Sequence, residues 1–124
     1  MEKQKAVIIS TEGHKSVVEF EFQKSYQLLS DAVGGMIECV SLKNADLWCN
    51  ENGIAEDLEL NMIASAIYSD AFNASNPILG NVIITGSVDA EGETLGLTDE
   101  QVAYWLGYNK KVIPTAYLMS GMYN

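Results

Sequence analysis

The chain has 124 residues, 48% of them hydrophobic, with a mean hydropathy of +0.03, a size and balance that fit one globular domain over residues 1–124 and leave no room for two cores. Its seven cations are all lysine and face 17 carboxylates, a formal charge of -10. With no arginine to clamp phosphates and no basic patch, the composition argues against nucleic-acid binding.

Apolar runs such as Ala6 to Ile9 and Val82 to Ile84 fall far short of the roughly 20 residues of a membrane span. The start, MEKQKAVIIS, lacks the apolar stretch of a signal peptide, so no membrane partner and a cytoplasmic location are expected. Two cysteines, Cys39 and Cys49, and one histidine, His14, make neither a disulfide framework nor a zinc-ligand set, so no metal site and no cofactor are expected.

Lys5 to Ser10 reads as a short strand, and Val18-Glu19-Phe20-Glu21-Phe22 alternates apolar and acidic, so a glycine turn at Gly13 predicts a hairpin with one wet face. Tyr26, Leu28, Leu29, Ala32 and Val33 are spaced as one face of a short helix, ended by Gly34-Gly35. Met36 to Ser41 and Ala45 to Asn50 are strand-like runs around the short loop Leu42-Lys43-Asn44. A turn centred there sets Cys39 opposite Trp48 and Cys49 opposite Glu38, which predicts two free, buried thiols on opposite faces of the ribbon.

Met62, Ile63, Ala66 and Ile67 recur at helical spacing, with Asn61 placed as the cap and an end near Asp70. Phe72 to Pro77 reads as a polar loop, followed by a buried-type strand, Asn81 to Thr85, whose flanking Gly80 and Gly86 predict close backbone approach. After the acidic loop from Asp89 to Gly96, Thr98 and Gln101 form a capping-box pattern opening a helix through Val102, Tyr104, Trp105 and Leu106. The segment 110–124 reads as an apolar tail, and Tyr117 to Tyr123 must be covered by the domain or by a dimer partner. The element order predicts an α+β fold: a mostly antiparallel sheet of about five strands with two to three helices.

Catalytic signatures are scarce. His14 lies in a turn with no nucleophile pattern around it, and the paired acids Glu19 with Glu21 and Glu91 with Glu93 read as solvated. Gly34-Gly35 precedes a strand, so it is no phosphate-binding helix start. The expectation is a binding protein with no catalytic residues. Its candidate ligand-binding residues are Phe72 as a stacking face, Asn73 and Asn81 reading polar edges, and Asn61 in support. Caps, turns and core packing are the competing roles for each, and backbone amides near Gly80 or Gly86 could serve phosphates.

The segments LLSDAVGGMIECV (Leu28 to Val40), LWCNENG (Leu47 to Gly53), LELNMIA (Leu58 to Ala64), ILGNVIITG (Ile78 to Gly86) and LTDEQ (Leu97 to Gln101) resemble a family of small phage and plasmid proteins with a domain of unknown function. The likeness spans roughly Tyr26 to Leu106. Phage proteins of this kind are similar to the Thoeris anti-defence sponges, small dimers that sequester cyclic ADP-ribose signals made by bacterial TIR-domain proteins. That resemblance implies a homodimeric anti-defence protein in the cytoplasm of an infected or lysogenic bacterial host, binding a cyclic ADP-ribose-type ligand without degrading it. The alternative, from composition, is an acidic decoy or DNA mimic that inhibits a host DNA-binding protein.

Overall fold

The computed structural model describes residues 3–122. Strands β1 (Gln4–Ile9) and β2 (Lys15–Phe20) form the first hairpin, and a single 3-10 turn (Phe22–Lys24) leads into helix α1 (Ser25–Val33). A second hairpin, β3 (Ile37–Ser41) with β4 (Asp46–Asn50), is followed by α2 (Met62–Phe72), β5 (Val82–Thr85), α3 (Asp99–Gly107) and α4 (Thr115–Met122). The sheet order is β2-β1-β5-β4-β3 and every pairing is antiparallel, which is the expected α+β arrangement with one more helix. That helix, α4, lies in the segment read from sequence as a tail.

The last strand along the chain, β5, is the central strand of the sheet. Its Val82 and Ile84 pack with Val7, Ile9 and Leu47 beneath Ile63 and Ile67 of α2, whereas Ile83 turns to the other face and packs with Phe20, Leu29 and Val33. With helices on both faces, every residue of β5 is buried, and a run without alternation follows. Helix α1 connects β2 at one edge to β3 at the other, so it crosses the full width of its face.

The second hairpin has the register expected from its loop, with Cys39 opposite Trp48 and Glu38 opposite Cys49. Cys49 is buried as expected, but Cys39 is exposed. The difference arises because β3 is an edge strand, and the apolar cluster under α1 takes in Ile37 and stops short of Cys39.

Glycine is required on both sides of β5. Gly80 has φ +87, and a Cβ there would stand 2.8 Å from Leu58 Cδ1; at Gly86 it would stand 2.5 Å from the Gly96 carbonyl oxygen. Beyond α3 the chain returns to α2, where the Val112 amide donates to the Met62 carbonyl (3.1 Å) and Pro114 is fully buried. Tyr117 and Leu118 remain exposed, and Tyr123 lies outside the described residues.

Candidate aromatic cleft

A cleft of about 570 Å³ opens between the second half of α2, the whole of α3 and the loop joining β3 to β4. Local chemistry fixes its frame. The Thr98 hydroxyl accepts from the Gln101 amide (3.1 Å) and the Gln101 side chain accepts from the Thr98 amide (2.9 Å), a reciprocal cap that starts α3. The same Gln101 side chain donates to the Asn44 carbonyl (2.9 Å), tying α3 to the hairpin loop, and Lys5 holds Asp99 at 3.0 Å.

Ile67 of α2 with Leu42 and Ala45 of the loop give the cleft apolar surface, and Tyr104, Trp105 and Tyr108 line it from α3 and its end. Tyr104 meets Trp105 edge-on with ring centroids 4.8 Å apart, and Tyr108 lies 5.8 Å from Trp105 and 6.4 Å from Tyr104. Such spacing is that of a mutually packed aromatic cluster. Tyr104 remains largely exposed, so its ring is accessible for further stacking.

The Tyr108 hydroxyl donates to Asp70 at 2.6 Å, and Lys110 donates to the same oxygen at 3.2 Å. These two donors, Tyr108 foremost, hold the Asp70 carboxyl below the usual carboxylate range. Partial burial first, and the Asp70 carboxylate second, push the Tyr108 phenol well above its ordinary value, so at neutral pH it stays a donor. Lys110 balances Asp70, while Lys43 and Glu100 carry opposite charges at the rim, leaving the cleft close to neutral. A surface of edge-on and tilted aromatic rings with little net charge is suited to a flat ring bearing few charges.

The four residues singled out in the sequence do not converge. Asn61 is 1% exposed and works as a structural brace: its side-chain Oδ1 accepts from the Ala64 amide (3.0 Å), and its side-chain Nδ2 donates to the carbonyls of Ile9 (3.1 Å) and Gly80 (3.0 Å). Asn81 accepts from the Thr11 amide (3.1 Å) beside a separate hollow. Asn73 is the left-handed residue, φ 50, that ends α2. Phe72 is the last residue of α2 and not part of a loop, because the helix runs two residues past Asp70 before the left-handed Asn73 ends it. Its ring lies 4.7 Å from that of Tyr68 and lines a second groove of about 520 Å³. Tyr104 and Trp105 read in sequence only as helix residues; the available signal was three aromatics in the five residues from Tyr104 to Tyr108.

Among the described residues no cluster of His, Cys, Asp or Glu is placed to hold a metal ion, and no helix is long and apolar enough to cross a membrane. Comparison with curated proteins and with solved structures returns no match. A family model described as a domain of unknown function, DUF3846, matches residues 4–110. That span runs from the first strand through the aromatic wall of the cleft, and the chain belongs to the DUF3846 family.

Proposed function

We propose that this protein acts by capture and not by turnover, holding a planar ring against Tyr104, Trp105 and Tyr108. The observation that carries this reading is the cleft itself: about 570 Å³, within the range of small-molecule sites, with an aromatic cluster on one side and few charged groups around it. A nucleobase fits that chemistry, since its faces stack on aromatics and its edges hydrogen-bond to uncharged groups such as Asn44 at the rim.

The narrower form of the proposal is sequestration of a cyclic ADP-ribose-type signal in the cytoplasm of a bacterial host, blocking TIR-dependent immunity. The adenine would stack in the cleft, with Lys43 the cation at hand for a phosphate. A homodimer belongs to the same reading, supported by the apolar exposure of Ile113, Tyr117 and Leu118 near the end of the described chain.

The test is ligand-linked stability. Cyclic ADP-ribose at a hundred times its dissociation constant should add about 2.7 kcal/mol to folding stability, a rise of several degrees in Tm, with the ligand recovered unaltered. No shift, together with salt-sensitive co-purification of a host DNA-binding protein, would favour the decoy reading instead.

A further inference from the structure

The second groove points to a different partner and does not depend on the ligand of the cleft. It runs for about 520 Å³ between the end of α2 and the β3–β4 hairpin, beside an edge of the sheet. Among the described residues β3 has a ladder partner on one side only. The orientation of its backbone follows from two bonds at the ends of the hairpin. The Glu51 amide donates to the Met36 carbonyl, and the Leu42 amide donates to the Ala45 carbonyl, each at 2.8 Å. Residues 36 and 42 therefore turn their backbone polar groups toward β4. By the two-residue alternation of an antiparallel ladder, Glu38 and Val40 do the same, and Ile37, Cys39 and Ser41 present theirs outward.

Side chains alternate in the same rhythm. Glu38 and Val40 stand on the α2 face and line the groove with Tyr68 and Phe72. Phe72 is 44% exposed, and Ile54, on the groove's other flank, is 78% exposed. Two carboxylates, Glu38 and Glu51, line the groove, and no lysine does so among the described residues. Unlike the first cleft, this one has a definite sign.

We infer that β3 is a docking edge for an extended, lysine-bearing segment of a partner protein, which adds as a sixth strand and lays its lysines into the groove. The added strand would exchange backbone hydrogen bonds with Ile37, Cys39 and Ser41. Its lysines, on the α2 face, would pair with Glu38 and run their aliphatic stems over Phe72 and Tyr68. The residues between them would point to the Cys39 face. Backbone pairing supplies the affinity, and the acidic, aromatic groove supplies the selection.

The test uses the full chain and a defined probe, acetyl-Lys-Val-Lys-Val-Lys-Val-amide, followed by amide hydrogen exchange in NMR spectra. The expected result is exchange slowed about tenfold or more at Ile37, Cys39 and Ser41, with shifts at Phe72. Methylating the three valine nitrogens keeps the charge and deletes the donors that face β3, and should abolish that protection. Glu38→Lys, at an exposed edge position where the fold tolerates it, should weaken binding about tenfold. The inference is overturned by equal binding of the methylated peptide, by unchanged binding to Glu38→Lys, or by no response of β3 to a large excess of probe. It is also overturned if the three amides are already slow before peptide is added, because the edge would then be covered, as by a second copy of the chain.

Discussion

The Tyr108 hydroxyl and the Asp70 carboxylate, 2.6 Å apart, join the end of α3 to the end of α2 across the mouth of the aromatic cleft. Because this bond holds the Asp70 pKa below its unfolded value, its contribution to stability is present above the usual carboxylate range and is lost as pH falls through the folded pKa. Asp70→Asn should therefore melt below the native protein at neutral pH, with the gap closing in acid. Tyr108→Phe should lose much the same increment, and the double variant should lose less than the sum of the two. Melting curves on all four proteins from neutral to acid pH check this; a gap that widens in acid would contradict it.

Asn61→Ala separates structure from binding. The change removes the cap of α2 and leaves the Ile9 and Gly80 carbonyls without their buried donor, at an expected cost of about 3 kcal/mol. Ligand affinity of the fraction that remains folded should not move. Denaturant titration gives the first quantity and calorimetry the second.

Two glycines should respond in opposite directions. At Gly86 a Cβ would lie 2.5 Å from the Gly96 carbonyl oxygen, so Gly86→Ala should cost about 1–3 kcal/mol through backbone displacement. At Gly107, the last residue of α3, a Cβ meets nothing within 4 Å, and Gly107→Ala should be neutral or stabilising by up to about 1 kcal/mol. Chemical denaturation of the two variants measures both.

The thiols should differ in reactivity. Burial, followed by Glu38 and Cys39, pushes the Cys49 thiol up to about 12, whereas Cys39 sits exposed on the sheet edge with a milder rise from partial desolvation and Asp46. A thiol-specific reagent at mildly alkaline pH should label Cys39 alone in the native protein and both residues after unfolding. Mass spectrometry of the labelled peptides decides; labelling of native Cys49 would contradict the register of the hairpin.

What was legible in the sequence was local. The Thr98 and Gln101 capping box, the Asn61 cap and the pairing of Cys39 with Trp48 each depend on residues a few positions apart, whose geometry the backbone dictates. Cys39's exposure was not legible, because it depends on β3 taking the edge of the sheet and on how far the apolar cluster under α1 reaches along it. The cleft was hidden for the same reason: Asn44, Ile67 and Trp105 meet only because β5 enters the middle of the sheet and brings α2 and α3 to one face. Phe72, read as a loop residue offering a stacking face, is instead the last residue of α2, because the left-handed Asn73 ends the helix two residues beyond Asp70.

Capture against the aromatic wall is tested most directly at Tyr104, a residue 61% exposed whose ring can be removed at little structural cost. Calorimetric titration of Tyr104→Ala with cyclic ADP-ribose, beside a melting curve, is the measurement. Stacking on Tyr104 predicts an affinity loss of about 1–3 kcal/mol, the value of stacking one base on an aromatic ring, with Tm nearly unchanged. Tight binding that survives Tyr104→Ala undiminished would contradict it.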